Sequence, residues 1–190
     1  MIVQILRFLL DTVLGFFVFV LLTRFYLQLL RAPFRNPLGQ FVTALTNWLV
    51  LPARRIVPGL FGLDLASLML AWLIEALLLF LLYMLRAGAI PGAPAAATGV
   101  FFSLALLELA RFSIYFVIGI LLVQAVISWV NPYAPLAPLF NALANPFLRP
   151  FRRFIPPIGN VDLSPLAALV VAQLLLIPIE YFARMVAVLL

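Results

Sequence analysis

Long apolar segments dominate the pattern of this chain. Four of them, at roughly 2–30, 65–85, 100–130 and 163–190, are long enough to cross a lipid bilayer, which takes about 20 residues. The first and third exceed that minimum, so we expect them to tilt or to project beyond the lipid. The pattern predicts an all-α integral membrane protein with four transmembrane helices.

The region between the first two apolar segments is repeated later in the chain. Positions 37–68 match positions 135–166 without a gap, with 12 of 32 residues identical. Such a duplication indicates two copies of one structural unit. Because each copy holds an even number of spans, both copies enter the membrane with the same orientation. We therefore predict parallel two-span repeats, not inverted ones, at 1–86 and 99–190, joined by a Pro/Gly/Ala linker at 87–98.

Each repeat connects its two spans through a segment with helical periodicity, which predicts a short amphipathic helix. In the first copy the predicted apolar face is Leu38, Phe41, Val42, Leu45, Trp48 and Leu49, and the predicted polar face is Gly39, Gln40, Thr43, Thr46 and Asn47. In the second copy Leu136, Leu139, Phe140, Leu143 and Phe147 are set against Asn141 and Asn145. Both segments are too short to span a bilayer.

A pair of arginines ends each connecting segment: Arg54 and Arg55 in the first copy, Arg152 and Arg153 in the second. An amphipathic segment with such a pair can lie in the membrane interface with its guanidinium groups at anionic phosphates. We predict that these four arginines contact lipid head groups or a partner. The simplest interpretation is a lipid anchor, and docking of a membrane-protein partner or gating is the alternative.

The distribution of arginine predicts the orientation in the membrane. The connections carry seven arginines and the opposite side carries four. The positive-inside rule therefore places both connections in the cytoplasm and both termini in the periplasm, as expected for a bacterial inner-membrane protein.

Composition narrows the function classes. The chain is 67% hydrophobic and only 9% charged, with a mean hydropathy of +1.25. It contains no His or Cys, all twelve basic residues are Arg, and no Gly-rich phosphate loop or metal-ligand spacing occurs. We therefore expect no catalytic centre, no metal, no cofactor and no direct nucleic-acid partner.

The doubled Arg-Arg-x-x-Pro followed by Asp-Leu, placed between apolar helices, resembles the YggT family of bacterial membrane proteins and its YlmG-like plastid and cyanobacterial relatives. The resemblance covers nearly the whole chain. It implies a small inner-membrane protein of two tandem YggT repeats. It further implies roles associated with the family: osmotic-stress tolerance with potassium uptake, cell division or nucleoid organisation, and assembly of membrane complexes in plastids.

Polar residues inside the spans are expensive and often functional. Arg24 and Glu75 lie within the first two spans, and the repeat places Gln124 and Gln173 at equivalent positions. We predict two intramembrane contacts, Arg24 with Glu75 and Gln124 with Gln173. Three roles are open for them: a packing clamp, a polar or proton-coupled path between the repeats, and simple extension of the arginine toward the membrane surface.

Asp64 and Asp162 each precede a span, and we predict that they cap the following helix. The nearby Arg-Arg pair can bind the same carboxylate.

Two functions remain in competition. The first is a non-enzymatic membrane scaffold, or an assembly or stress-tolerance factor, acting through the basic elements together with anionic lipid, a membrane-protein partner or a second copy of the chain. The alternative is a small transporter or channel component for an ion or osmolyte, with a polar path between the repeats.

Overall fold

Six helices make up the described part of the molecule. The computed structural model describes residues 1–34, 36–59, 62–87, 95–131, 133–155 and 162–188. The helices are α1 (Ile2–Leu29), α2 (Pro37–Ile56), α3 (Leu65–Ala87), α4 (Ala95–Val130), α5 (Ala137–Phe154) and α6 (Ser164–Ala187).

Four of these helices are long and apolar enough to cross a membrane: Ile2–Leu29, Leu65–Arg86, Thr98–Val130 and Ser164–Ala187. They coincide with the four predicted spans, so the all-α membrane fold is confirmed. The third span has 33 residues, about 50 Å at 1.5 Å per residue, which exceeds a hydrocarbon core of about 30 Å.

The two repeats have the same internal packing. In the first, α1 packs on α3, and α2 lies against both; in the second, α4 packs on α6, and α5 lies against both. Contacts of α4 with α3 and with α1 join the repeats. One end of the bundle, here called the connection face, carries α2 and α5. The opposite end, here called the terminal face, carries the start of α1 and the end of α6.

Two clusters of buried apolar side chains hold the helices together. One is centred on Leu121, Leu143 and Leu148 and includes Val42 of the first repeat. The other is centred on Val18, Leu21 and Val50 in the first repeat. The ring of Tyr26 stacks on that of Phe116 at 4.8 Å between centroids, so an aromatic contact also crosses from one repeat to the other.

Helix α2 buries a different face from the one that its sequence predicts. The buried residues are Gly39, Val42, Thr46 and Val50, and two of these belong to the predicted polar face. Phe41 and Trp48, from the predicted apolar face, are 50% and 64% exposed. A helix at the membrane meets lipid that is as apolar as a protein core. Its large apolar residues can therefore face outward while small and polar ones face the bundle.

Helix α5 follows the prediction more closely, since Leu139 and Leu143 are buried and Asn141 and Asn145 are exposed.

The linker between the repeats ends earlier than the sequence predicts. Helix α4 begins at Ala95, so the last four positions of the predicted linker are helical. Residues 88–94 of that linker, and Arg35 of the first connection, lie outside the described residues.

Candidate functional site

A buried ion pair joins the first two spans at the connection face. The Nε atom of Arg24 lies 3.2 Å from Oδ2 of Asp64, and the two side chains are only 5% and 1% exposed. Nη1 of Arg24 also donates to Oγ1 of Thr46 at 2.7 Å and to Oδ1 of Asn47 at 2.9 Å. Removing an arginine from water costs several kcal/mol. A carboxylate and two further acceptors offset that cost here.

The same carboxylate binds a second arginine. Nη2 of Arg54 donates to Oδ2 of Asp64 at 2.7 Å, and its Nε donates to Oδ1 at 3.3 Å, a bidentate arrangement that fixes the guanidinium. Arg54 Nη2 also donates to Oε1 of Gln28 at 3.2 Å. Asp64 therefore connects the end of α2 to the start of α3 and to α1, and the cluster carries one net positive charge.

Asp64 also satisfies the first turn of α3. Its Oδ1 accepts the Ser67 backbone N–H at 3.3 Å and its Oδ2 accepts the Ser67 hydroxyl at 2.7 Å, the contacts of an N-capping side chain. Burial alone would raise the pKa of Asp64. Hydrogen bonds from Arg54 and Ser67 and the Arg54 charge outweigh burial and hold that pKa below its ordinary value.

The second repeat keeps half of this arrangement. Nε of Arg152 lies 2.8 Å from Oδ2 of Asp162, ten positions away as in the first repeat. Asp162 accepts the Ser164 backbone N–H at 2.9 Å. The N-cap residue of α6 is Leu163, so Asp162 lies one residue before that position and, contrary to the prediction, is not itself the N-cap. Its side chain is 22% exposed. Although burial would raise the pKa of Asp162, hydrogen bonds from Ser164 and Arg152 hold it below its ordinary value.

The predicted intramembrane contacts are wrong. Arg24 binds Asp64 and not Glu75, and Glu75 is a separate buried residue, 3% exposed, whose Oε2 has no hydrogen-bond partner among the described residues. Gln124 is buried and donates from Nε2 to Oδ1 of Asn141 at 2.6 Å, whereas Gln173 is exposed on α6. The prediction compared only how deep Arg24 and Glu75 lie along their helices. The direction in which Arg24 points around the helix axis, together with the length of its side chain, brings it to Asp64 instead.

The two arginines of each pair have different environments. Arg54 and Arg152 bind the aspartates. Arg55 and Arg153 are exposed, and neither forms an ion pair with another described residue. Adjacent helical positions point about 100° apart, so only one arginine of a pair can turn toward the bundle. The first arginine of each pair is held by an aspartate, and the second is exposed without such an ion pair among the described residues.

Sequence reasoning missed three residues of the site, namely Thr46, Asn47 and Gln28. Their hydroxyl and amide oxygens accept hydrogen bonds from Arg24 and Arg54. The repeat held a signal for one of them: Thr46 corresponds to Ala144, and Arg24 to Gln124. The hydroxyl is thus absent from the copy that lacks the intramembrane arginine.

Comparison with known proteins agrees with this architecture. The sequence model of the family described as CCB3/YggT matches residues 3–85 and 103–182, one region in each repeat. An uncharacterized protein of Pseudomonas aeruginosa is 36% identical over 178 residues, covering 88% of this chain and 84% of that protein. The uncharacterized protein YggT of Escherichia coli is 32% identical over 162 residues, covering 85% and 81%.

A shorter match extends to plants. The chloroplastic YlmG homolog protein 2 of Arabidopsis thaliana is 49% identical over 55 residues, which cover 27% of this chain and 21% of that protein. No solved structure matches the chain significantly. Two repeat regions matched along most of the length, together with the bacterial relatives, show that the chain belongs to the CCB3/YggT family.

Proposed function

We propose that this protein is a non-enzymatic scaffold of the bacterial inner membrane, with its connection face in the cytoplasm. The observation that carries the proposal is the division of each arginine pair. Arg54 and Arg152 fix the connecting helices to the bundle through Asp64 and Asp162. Arg55 and Arg153 are left exposed on the same face. A bundle that presents one exposed guanidinium group from each repeat on the same face suits recognition of anionic groups.

The surroundings of Arg55 support a position at the membrane surface. Trp48 and Phe41 are exposed on α2, and tryptophan is enriched where lipid meets water. Apolar side chains on one side of a helix and arginines at its end are the arrangement of an interfacial anchor. Anionic lipid binding would keep α2 and α5 at the surface, where a partner membrane protein with an acidic segment can dock. A role in assembly or in stress tolerance follows from such docking.

Site-specific photocrosslinking in native membranes tests the scaffold. A photoreactive residue at position 55 or 153 is expected to give a discrete protein adduct. That adduct should disappear when the arginine of the other copy is replaced (Arg153→Gln or Arg55→Gln). The matched control places the same residue at Tyr181, which is 58% exposed at the terminal face. Identical adducts from position 181 and from both connection-face positions would contradict docking at the arginines.

One observation favours a second function, as a component of a transporter or channel. Glu75 is a carboxylate buried within a span, and such residues often mark ion or proton paths. Purified protein in liposomes would then conduct an ion, and Glu75→Gln would abolish the flux. If the wild type conducts one ion selectively, and the Arg55→Gln/Arg153→Gln variant conducts it equally well, the result would favour transport over the scaffold.

A further inference from the structure

One side of α6 carries a regular row of exposed residues. This helix is the least buried of the four spans, and within the described part of the chain it packs on α4 and α5. Beside its buried face, exposed residues recur at alternating spacings of four and three positions: Leu166, Val170, Gln173, Ile177, Glu180 and Arg184. This alternation is typical of the seam along which two helices of a coiled coil pack. These six residues are here called the α6 seam.

The depth of Gln173 indicates that the seam meets protein. Gln173 lies about 14 Å from the start of α6 and about 21 Å from its end, at a rise of 1.5 Å per residue, and is therefore near the middle of the membrane. Its side chain is exposed on the helix surface, where lipid offers no hydrogen bond. Polar side chains at this depth normally face another helix and form hydrogen bonds across to it. A neighbouring helix suits this position better than lipid does.

The corresponding face of the first repeat is a packing surface. A shift of 98 positions places Trp72 and Glu75 of α3 opposite Val170 and Gln173 of α6. Nε1 of Trp72 donates to the backbone carbonyl of Phe102 on α4 at 2.9 Å, and Glu75 is 3% exposed. Val170, in contrast, is 57% exposed. The same face of the duplicated unit therefore meets a helix in one copy and is exposed in the other.

Two opposite charges near the end of the seam make it complementary to itself. Neither Glu180 nor Arg184 forms an ion pair with a described residue, and Nε of Arg184 donates to the backbone carbonyl of Glu180 at 3.3 Å. Helical side chains lean toward the N-terminus, so in two parallel α6 helices Arg184 of one reaches back to the level of Glu180 of the other. The amide of Gln173 both donates and accepts, and it can therefore bond to the same amide of a second copy.

We propose that α6 is a dimer interface at which the seams of two copies of this chain pack in parallel. Copies inserted with the same orientation have parallel α6 helices, and a two-fold axis along the membrane normal relates them. Gln173 bonds to Gln173 of the second copy and fixes the register, as a single polar residue does in a coiled-coil seam. Each Arg184 pairs with Glu180 of the other copy. This surface is separate from the exposed arginines of the connection face, so either proposal can fail without the other.

Cysteine crosslinking in native membranes tests the interface. The chain contains no cysteine, so each variant carries a single thiol. Oxidation with copper phenanthroline should convert Val170→Cys and Ile177→Cys to disulfide-linked dimers. Val171→Cys is the matched control, because Val171 is 41% exposed and points about 100° away from Val170 around the helix. Equal dimer yields at positions 170 and 171, or no dimer at either seam position, would overturn the proposal.

The hydrogen bond at the centre of the seam is tested by Gln173→Leu, which removes the amide and keeps a side chain of similar size. The dimer association constant in liposomes should fall about threefold, the effect of an average hydrogen bond between membrane helices. An association constant that does not change would overturn the pairing of Gln173 with its counterpart.

Charge exchange between two differently tagged copies tests whether the partner is the same chain. Glu180→Arg leaves two positive charges at the end of the seam, and Arg184→Glu leaves two negative ones. Each variant should associate with itself about tenfold less strongly than the wild type does, since it loses charge-assisted hydrogen bonds. The two variants should associate with each other about as strongly as two wild-type copies do. A role of these residues within one chain cannot produce that recovery, and variants that associate no better with each other than with themselves would overturn the proposal.

Discussion

Arg24 and Asp64, 40 positions apart in sequence, form an ion pair with 3.2 Å between Nε and Oδ2. The pair joins α1 to the start of α3, and Arg54 shares the same carboxylate at 2.7 Å. The second repeat has Gln124 in place of Arg24, and its Asp162 binds a single arginine. One copy of the duplicated unit therefore holds a buried ion pair joined by a partly exposed second arginine, and the other holds a single, more exposed pair.

Asp64→Asn should destabilise the protein much more than Asp162→Asn. Asparagine keeps the shape and the capping oxygen, so each change chiefly removes the charge. Without Asp64 the buried Arg24 loses its counter-charge, a loss of about 3–5 kcal/mol in unfolding free energy. The Asp162 pair is partly exposed, and its loss should cost about 1 kcal/mol or less. Unfolding of the purified variants in micelles measures both, and equal losses would contradict the asymmetry between the copies.

The Arg24–Asp64 contact also predicts non-additive mutations. Arg24→Gln introduces the residue of the second copy and leaves Asp64 paired with Arg54. Adding Arg24→Gln to Asp64→Asn removes the arginine that Asp64→Asn leaves without a counter-charge. The double variant should therefore be more stable than the sum of the single losses by about 0.5–3 kcal/mol. The control repeats this comparison with Glu75→Gln in place of Asp64→Asn. Glu75 does not contact Arg24, so the losses in unfolding free energy of these two single variants should add to that of the double variant within about 0.5 kcal/mol.

The spans and the duplication could be predicted from the sequence because hydropathy and a constant shift of 98 positions are properties of the chain itself. The sequence allows the contact of Arg54 with Asp64 as an option, because the two residues are ten positions apart. It does not identify the partner of Arg24, because sequence gives depth along a helix but not rotation about its axis. The buried face of α2 was missed for another reason: polarity alone does not separate a side that meets lipid from a side that meets protein.

Acid should weaken the connection face. The pKa values of Asp64 and Asp162 are lowered in the folded protein, so the folded state favours the charged carboxylates. Their contribution is complete above the unfolded pKa of about 3.9 and is lost as the pH falls through the lower folded values. The part of the stability that depends on these two aspartates should appear as a fall in the thermal unfolding temperature below about pH 4. Asp64→Asn/Asp162→Asn should flatten this decline, and an unchanged acid profile in that variant would exclude the two aspartates as its source.

Two threonines on α2 offer a matched test of which face meets the bundle. Thr46 is fully buried and accepts a hydrogen bond from Arg24 at 2.7 Å. Thr43 bonds only to carbonyls of its own helix, those of Gly39 and Gln40, each at 2.9 Å. Thr46→Val keeps the shape but removes the acceptor of a charged donor. It should lower the unfolding free energy by about 1.5–3 kcal/mol.

Thr43→Val makes the same chemical change one turn earlier and should remain within about 0.5 kcal/mol of the wild type. Both values come from unfolding of the purified variants under one set of micelle conditions. If α2 instead turned its predicted apolar face to the bundle, Thr46 would lie on the outer side. The two substitutions would then have equal and small effects. A large loss for Thr46→Val alone therefore places the polar side of α2 against Arg24 and its large apolar side chains toward the lipid.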